Sequence, residues 1–349
     1  MKVATEAVNK VTLPPSPAVL QAIKEQKQLP LLDLAPYLAG EPGALEQLAA
    51  DVRAIQETLG FFAVINHGVP PALIENSFEQ IKKLFRLSDE EKMEHRTGFH
   101  HQGFIPPKSL LLDSKEIKEK IAVNTKRDAV LTWSFMRERT PDDPAVKNGV
   151  RHRGLNRWPE SLPEVRETLA QYQSTMEALA KKLVRVYARA LDLDADYFDS
   201  SFRVPEYYQA CTYYRAVTLE EGQFMLAPHS DGSFLTLLPL SPIPALEVMT
   251  PSREWLPVEY VKDALIVNTG QILNQMSNDR FIATPHRVLA PTQERYALPF
   301  FLYPDDDAII QAAPTCVSED RPSRYEPIKF HDWFNRYIDE IYHYDKSRR

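Results

Sequence analysis

Cysteine and glycine are scarce in this sequence of 349 residues. The two cysteines, Cys211 and Cys316, could form one disulfide, but two thiols in a chain of this length are more often buried or free. They are too few for a zinc site built from several cysteines. The 11 glycines include no G-x-G-x-x-G and no G-x-x-x-x-G-K-[ST] motif, which argues against a glycine-rich nucleotide loop.

Long apolar runs and a surplus of positive charge are missing as well. No stretch approaches the roughly 20 apolar residues of a membrane helix, and MKVATEAVNKVTLPPSP lacks the apolar core of a secretory signal. The chain has 41 Lys+Arg against 48 Asp+Glu and a formal net charge of −7. It therefore lacks the surplus of positive charge that is typical of nucleic-acid-binding proteins. We therefore expect a cytoplasmic protein that binds neither membranes nor nucleic acid.

The first half of the chain has mainly helical periodicity. Residues 44–59 form an amphipathic pattern that ends at Gly60, and residues 71–86 form a second one. The apolar run GFFAVINHG between them is bounded by glycines and predicts a buried strand.

Two capping boxes mark further helix starts: Ser88 with Glu91, and Ser161 with Glu164. The second precedes the longest helical pattern, which predicts one apolar face against a large core. That face contains Val165, Leu169, Tyr172, Met176, Leu179, Leu183, Val186 and Leu191.

From about residue 207 the pattern changes to short β-rich runs. The runs are YYQACTYY, SFLTLLPL, ALEVM, EWLPVEY, ALIVN, ATPHRVL, YALPFFLYP and DAIIQA. Many short strands without crossover helices indicate an antiparallel sandwich or barrel rather than βαβ units. The segment IKFHDWFNRYIDEIYHY then predicts a closing helix. We expect a mostly β core covered by a helical layer.

Metal-ligating side chains occur at His229 and Asp231, in PHSDGSF at the start of a predicted strand. Positions i and i+2 of a strand face the same side, so the imidazole and the carboxylate can converge. His286, in ATPHRVL on a late strand, is the best candidate for a third ligand. Two histidines and one carboxylate are the ligand set of non-haem Fe(II) oxygenases. Either histidine alone could equally be a core or loop residue.

Arg295 follows His286 by nine residues, in ERYALPFFLYP. A guanidinium directed into a barrel is costly unless it meets an anion, and its planar fork suits a carboxylate. The alternative is a surface arginine at the start of a strand.

These motifs together resemble the isopenicillin N synthase-like branch of the Fe(II)- and 2-oxoglutarate-dependent oxygenases. LPLLDLAPYL, GFFAVINHGVP, NRWPESLPEVRETLAQY, H-x-D, SNDRFIATPHRV and R-x-x-LPFFLYP follow one another in family order over about residues 29–345. The resemblance implies a double-stranded β-helix (jelly roll) flanked by N-terminal and C-terminal helices.

The resemblance implies one catalytic domain over residues 1–349. Its parts would be a mixed helical region at 29–200, a jelly-roll core with the iron site at 207–315, and a C-terminal helix at 327–345. It also implies Fe(II), 2-oxoglutarate and O2 as cofactor and co-substrates. The implied iron ligands are His229, Asp231 and His286, and the implied 2-oxoglutarate-binding residues are Arg295, Tyr214 and Thr212.

Two positions depart from the family pattern. The usual R-x-S motif is Arg295-Tyr296-Ala297, and the usual N-Y-Y-P segment begins with Thr212. Losing one neutral hydrogen bond costs about 1 kcal/mol, so 2-oxoglutarate binding would weaken without being abolished. The departure also leaves open a rebuilt anchor or a different co-substrate.

The aromatic strands predict a partly apolar pocket for a small organic substrate. Phe301 follows Arg295 by six residues, so the two share a face of an extended strand. Phe104 and Arg215 complete the predicted wall of the pocket, and Arg215 would face a carboxylated substrate.

Several other polar residues have weaker predictions. Asn268 and Gln271 are candidates for contacts around the ligands, although either could cap a strand end. His100 and His101 are adjacent, so we interpret them as loop residues without a role. We interpret the run Asp305–Asp307 as a solvated turn.

The reaction implied by the resemblance is oxidation, most simply hydroxylation, of a C–H bond, with 2-oxoglutarate and O2 giving succinate and CO2. Halogenation is disfavoured because Asp231 is present. The alternatives are a 2-oxoglutarate-independent oxidase of the isopenicillin N synthase type, a non-catalytic small-molecule-binding protein on the same fold, and a zinc hydrolase. The resemblance makes a monomer the default.

Overall fold

The computed structural model describes residues 10–109 and 126–341. The helices are α1 Pro17–Glu25, α2 Ala35–Leu38, α3 Ala44–Gln56, α4 Pro71–Arg86, α5 Asp89–Glu94, α6 Pro144–Lys147, α7 Pro163–Ala190, α8 Gln271–Met276 and α9 Phe330–Ile341. The strands are β1 Leu31–Asp33, β2 Phe61–Ile65, β3 Gly103–Ile105, β4 Leu131–Met136, β5 Tyr207–Tyr214, β6 Leu226–His229, β7 Leu235–Pro239, β8 Leu246–Met249, β9 Trp255–Pro257, β10 Leu265–Thr269, β11 His286–Val288, β12 Arg295–Ala297, β13 Phe300–Leu302, β14 Ile309–Ile310 and β15 Ile328–Lys329.

Two sheets form the β core of the described chain. The major sheet has nine strands in the order β1-β2-β10-β7-β13-β5-β4-β3, with β12 also paired to β5. The minor sheet has four strands in the order β6-β11-β8-β9. The pairings are antiparallel except β1 with β2. Two mostly antiparallel sheets flanked by helices give the jelly-roll core, as the sequence predicted.

Strand β5 separates two environments because successive side chains of a strand point to opposite faces. Cys211 lies near Tyr172 of α7, on the helix-covered side. Its neighbour Thr212, together with Tyr214 and Tyr208, faces a cavity between the sheets. One strand therefore supports the helical core on one face and the functional cavity on the other.

Helix α7 fastens the helical layer to the β core. All eight residues of its predicted apolar face are buried. Tyr172 donates its hydroxyl to the Leu298 carbonyl over 3.0 Å, and Gln56 of α3 donates to the Tyr187 hydroxyl over 3.0 Å. Buried hydroxyls need such partners, so these bonds fix how the helix lies on the sheet.

The two predicted capping boxes have different outcomes. Ser88 and Glu91 form theirs, with bonds of 3.2 and 2.9 Å. The prediction for Ser161 and Glu164 is wrong, because α7 begins at Pro163 with Leu162 as its N-cap and no side-chain cap. Pro163 has no N–H to satisfy and sets φ for a first turn, so the helix starts without a serine cap.

Three other boundaries differ from the sequence prediction. The helix predicted over 44–59 ends at Gln56, where the chain turns towards Gly60 at φ 73°. The closing helix begins at Phe330 because β15 pairs with β14 first, and residues 342–345 lie outside the described part. Pro299 interrupts the YALPFFLYP run, which is two strands rather than one.

The predictions for the two cysteines and for the acidic run Asp305–Asp307 also have clear outcomes. Both cysteines are buried free thiols. The interpretation of Asp305–Asp307 as a solvated turn is wrong for its first two residues, since Asp306 pairs with the buried Arg153 at 2.5 Å and Asp305 accepts the Val204 N–H at 3.0 Å. Within the described residues, no helix is both long and apolar enough to cross a membrane.

Candidate metal and co-substrate site

The pairing of β6 with β11 brings two histidines together. His286 lies directly opposite His229 in the antiparallel register, and their ring centroids are 4.2 Å apart. Asp231 follows two residues later, and its Oδ1 lies 3.7 Å from His229 Nε2 and 3.5 Å from His286 Nε2. The prediction that Asp231 shares a strand face with His229 is wrong, because His229 ends β6 and the connection to β7 carries Asp231 inwards.

Backbone carbonyls fix the tautomers of both histidines. His229 Nδ1 lies 2.8 Å from the Ala227 carbonyl, and His286 Nδ1 lies 3.2 Å from the Thr284 carbonyl. A carbonyl only accepts, so each Nδ1 carries the proton. Both Nε2 lone pairs are then directed to the point they share with Asp231.

The carboxylate of Asp231 is held in the same way. Its Oδ2 accepts from the Thr236 hydroxyl and from the Asn268 amide, each over 2.7 Å. The Gln271 N–H donates to the Asp231 carbonyl over 2.7 Å. Oδ1 therefore remains on the side of the two imidazoles, in a position to complete a facial set of three ligand atoms. These ligand atoms lie within 4.8 Å of one another.

The charges of the site suit a cation. Burial lowers the pKa of His229 to about 4, so its imidazole is neutral at pH 7. Burial pushes the pKa of Asp231 upwards, but His286, His229 and Asn268 together hold it below its usual range. The site thus combines the neutral imidazole of His229 with the ionised carboxylate of Asp231, and that carboxylate brings one negative charge to the site.

Arg295 is buried on β12, where it pairs with the cavity-lining Tyr214 of β5. Its guanidinium carbon is 5.0 Å from the Tyr214 ring centroid, and its Nε donates to the Ile243 carbonyl at 3.2 Å. Its Nη1 is buried without a hydrogen-bond partner in the described structure. Burial lowers its pKa, and the neighbouring Tyr214 opposes that effect. Such a cation would gain from an anionic partner.

Thr212 is the third residue of the predicted co-substrate group. It lies opposite Ala297 in the β5–β12 register, and its hydroxyl donates to the Ala297 carbonyl at 3.3 Å. It lines the cavity together with Tyr214. The register thus brings Arg295 next to Thr212 and Tyr214, which line the cavity.

A cavity of about 110 Å³ adjoins the triad. Its lining residues are His101, Val130, Thr132, Tyr208, Ala210, Thr212, Tyr214, Leu226, His229, Asp231, Gly232, Pro299, Phe301, Tyr303, Phe334, Tyr337, Ile338 and Ile341. Most are apolar or aromatic, as is usual for a small-molecule site.

Of the three predicted substrate-pocket residues, the structure brings only Phe301 to the cavity. Phe104 packs against Trp133 at 5.7 Å between ring centroids, on the helix-covered face, so its assignment to the pocket is wrong. Arg215 is exposed and directly follows Tyr214, which faces the cavity. Because successive side chains of an extended chain point to opposite faces, Arg215 points away from the cavity.

Sequence reasoning missed several residues of the site. Thr236 gave no signal beyond lying on a β-rich run. The cavity-lining face of α9, which includes Phe334 and Tyr337, was visible only as amphipathic periodicity. His101 was interpreted as a loop residue without a role, yet it is fully buried and lines the cavity. The prediction for Asn268 is confirmed by its bond to Asp231.

A jelly-roll core in which two imidazoles and one carboxylate converge defines a non-haem iron oxygenase. Two family models match the chain. Residues 29–161 match the N-terminal model of the non-haem dioxygenase in morphine synthesis, and residues 205–304 match the 2OG-Fe(II) oxygenase superfamily.

Curated relatives agree with these matches. The chain is 30% identical to the kihadalactone A synthase LFS of Citrus sinensis over 88% of this chain and 91% of the relative. It is 29% identical to the 2-oxoglutarate-Fe(II) type oxidoreductase hxnY of Emericella nidulans, over 87% of each. The chain therefore belongs to the 2OG-Fe(II) oxygenase superfamily, and its activity is that of an Fe(II)- and 2-oxoglutarate-dependent dioxygenase.

Solved structures agree with the fold and the co-substrate. A full-length Neurospora crassa protein, solved in complex with alpha-KG and thymine, is 25% identical, with a TM-score of 0.78 over 90% of this chain and 98% of that one. The rice dioxygenase for auxin oxidation is 26% identical, with a TM-score of 0.68 over 89% and 95%. Proteins of this fold are therefore named for different small molecules.

Proposed function

We propose that His229, Asp231 and His286 hold Fe(II), and that the enzyme uses it to hydroxylate a C–H bond of a small, partly apolar organic substrate. The observation that carries the assignment is the fixed orientation of the three groups. Both Nδ1 atoms face carbonyls and Asp231 Oδ2 accepts two hydrogen bonds, so the remaining three donor atoms face one point. Such orientation by neighbouring groups is typical of metal ligands.

Arg295 is the proposed anchor for the distal carboxylate of 2-oxoglutarate. The buried Nη1 without a partner is the group that a carboxylate would satisfy, and Tyr214 lies beside it. Thr212 lines the cavity beside Tyr214, and its hydroxyl would have to leave the Ala297 carbonyl to donate to the carboxylate. The donor set therefore fits a dicarboxylate whose other end reaches the metal.

With Fe(II) and 2-oxoglutarate bound, the centre would supply O2 activation, with succinate and CO2 as by-products. 2-Oxoglutarate gives two of the four electrons that O2 needs, and the substrate C–H bond gives the other two. The chain's own residues orient the ligands, neutralise the co-substrate and exclude water with aromatic side chains. The protein thus supplies positioning and a dry pocket.

Anaerobic Fe(II) titration with and without 2-oxoglutarate tests these assignments. A weak visible charge-transfer band is expected only when the keto acid chelates the iron. His229→Ala should abolish the band, and Arg295→Ala should raise the 2-oxoglutarate concentration needed for it. His95→Ala removes an imidazole whose ring lies beside Trp133 and serves as the matched control.

The second candidate is an oxidase that needs no 2-oxoglutarate, and Ala297 favours it because the usual serine hydroxyl is missing. Iron uptake without the band, together with substrate loss without succinate, would support this candidate against the main proposal. Iron uptake that His229→Ala leaves unchanged would refute the ligand assignment itself.

We further propose that the chain acts as one catalytic domain, because strands from residues 31–136 and 207–302 share one sheet. A monomer in the cytoplasm stays our prediction. Light scattering on the purified chain and imaging of the tagged protein test the two points separately.

A further inference from the structure

The proposed ligand His286 lies at the start of its strand, so the chain before it affects where its ring lies. His286 is the first residue of β11, and the register of β11 with β6 shifts directly after it. Residues 282–285, which lead into β11, belong to no helix or strand. Such a segment has no ladder of backbone hydrogen bonds, so other contacts must hold it. They come from residues 56–61, the connection between α3 and β2.

Hydrogen bonds link this connection to the ligand. The Ile282 N–H donates to the Gln56 carbonyl over 2.9 Å, and the Thr284 hydroxyl donates to the Leu59 carbonyl over 2.7 Å. The Thr284 carbonyl in turn accepts from His286 Nδ1 at 3.2 Å. A continuous series of contacts therefore runs from the connection to the imidazole ring.

Gly60 allows the connection to approach the segment closely. Its φ is 73°, in the left-handed region that favours glycine. A Cβ on Gly60 would collide with the Thr284 hydroxyl and lie 2.6 Å from the Ile282 carbonyl oxygen. A larger residue at this position would therefore push away the segment that leads to His286.

Phe61 contacts the ligand ring itself. Its ring meets the His286 ring edge-on, with centroids 5.1 Å apart and an interplanar angle of 63°. Phe61 also lies opposite Asn268 in the β2–β10 register, and the Asn268 amide donates to Asp231. Residues directly opposite each other on antiparallel strands point to the same face, so Phe61 lies on the face of the sheet that supports the metal site.

The connection is itself firmly held. The buried Gln56 side chain donates to the Tyr187 hydroxyl of α7 over 3.0 Å and accepts from the Thr269 hydroxyl of β10 over 2.6 Å. Buried polar networks whose members have partners are rigid. The connection can therefore act as a fixed support for the segment packed on it.

We propose that residues 56–61 position His286 for metal binding, with Gly60, Phe61 and Thr284 as the positioning residues. The inference rests on the proposed function and adds to it the part of the chain that orients the third ligand. The connection lies in the region that matches the N-terminal family model, and His286 lies in the other matched region. The N-terminal region thus contributes to the metal site, although none of the three proposed ligands lies in it.

Two neighbouring phenylalanines provide a matched test. Phe61 and Phe62 are both buried, but successive residues of a strand face opposite sides, and Phe62 packs in the core with the helices. Phe61→Leu and Phe62→Leu should both lower the free energy of unfolding in urea. Phe61→Leu alone should weaken Fe(II) binding, by about three- to tenfold, in an anaerobic competition titration against a chelator. Equal Fe(II) affinities of the two variants would overturn the proposal.

Two glycines at positive φ test the close approach. Gly43 has a φ of 79°, and nothing lies within 4 Å of its added Cβ. Gly43→Ala and Gly60→Ala both place alanine at positive φ, so both are strained. Gly60→Ala should also weaken Fe(II) binding about 10- to 100-fold, because it displaces the group that orients the ligand. An unchanged Fe(II) affinity would refute this role, and the phenylalanine pair decides the question if Gly60→Ala does not fold.

Conservative variants of Thr284 test the hydrogen-bonded link. Thr284→Val removes the hydroxyl at similar volume and should weaken Fe(II) binding about tenfold, whereas Thr284→Ser keeps the donor and should bind Fe(II) nearly as the wild type does. If serine does not rescue the affinity lost with valine, the link does not position His286. A wild-type protein that takes up no Fe(II) would instead count against the proposed function.

Discussion

The two oxygens of the Asp231 carboxylate have different environments. Oδ2 accepts from Thr236 and Asn268, while Oδ1 faces the two imidazoles. Asn268→Ala should therefore weaken Fe(II) binding about 10- to 100-fold, because the carboxylate loses one of the groups that orient it. A competition titration against a chelator measures this affinity.

Two variants of Thr236 form a matched pair for the same titration. Thr236→Val removes the hydroxyl at nearly constant volume and should weaken iron binding in the same range, whereas Thr236→Ser keeps the donor and should stay close to wild type. Equal affinities for the valine and serine variants would mean that the hydroxyl does not orient Asp231.

The departure at Ala297 can be reversed. Ala297 is buried, and it lies two residues from Arg295 on the same face of β12. Ala297→Ser should lower the KM for 2-oxoglutarate by about fivefold, the equivalent of roughly 1 kcal/mol from one added hydrogen bond. Initial rates of succinate formation measure this KM. A KM that rises would indicate that Thr212 already occupies the position of the missing hydroxyl.

At the scale of elements, α9 closes the cavity next to the metal ligands. Tyr337 lies so close to Gly232 that a Cβ on that glycine would be 2.4 Å from the Tyr337 Cζ. The Tyr337 ring is itself stacked on Trp333 at 5.1 Å, so it has little room to move. Gly232→Ala should therefore displace α9 and destabilise the protein by roughly 1–3 kcal/mol.

Thermal unfolding and substrate KM measure the effect of that displacement. Gly98→Ala is the matched control, because nothing lies within 4 Å of its added Cβ. Adding Tyr337→Leu to Gly232→Ala should restore much of the lost stability. If the single alanine variant unfolds like the wild type, the helix does not depend on this contact.

The two serines predicted as caps give a second test at the element scale. Ser88→Ala should cost about 1 kcal/mol of unfolding free energy, because Ser88 accepts the Glu91 N–H at the start of α5. Ser161→Ala should cost little, since α7 has no side-chain cap. Urea unfolding compares the two directly, and equal costs would contradict the structure.

At the scale of the whole molecule, buried neutral histidines make the metal-free fold sensitive to acid. Burial lowers the pKa of His101 to about 3, of His152 to about 2 and of His229 to about 4. The unfolded chain protonates these imidazoles near pH 6.5, and the folded chain does so only at lower pH. Each histidine should therefore cost about 1.4 kcal/mol of stability per pH unit as pH falls below about 6.5.

Urea unfolding of the metal-free protein between pH 7.5 and 5 measures this slope. His152 also has a positive φ, of 61°, so asparagine fits both it and His101. The double variant His101→Asn/His152→Asn should lower the acid slope by about 2.7 kcal/mol per pH unit, the sum for two buried neutral imidazoles. An unchanged slope would show that other groups dominate acid unfolding.

The sequence by itself determined the fold class, the helical and β-rich halves and the identities of the three ligand candidates. These features depend on local patterns: periodicity, turn residues and motif order. Helix α4 has the predicted bounds Pro71–Arg86, and the apolar face of α7 is buried as expected. Local patterning is strong enough in such segments to fix the element and its buried side.

The tertiary structure alone decided which side chains meet. The approach of His286 to His229 depends on the β6–β11 register, and the support of Asp231 by Thr236 and Asn268 depends on β7 and β10 lying side by side. Excluding Phe104 and Arg215 from the pocket requires knowing which face of its strand each one occupies. Placing His101 at the pocket requires the tertiary structure in the same way. Contacts between distant strands leave no local pattern in the sequence, because the chain's periodicity records burial and not the partner.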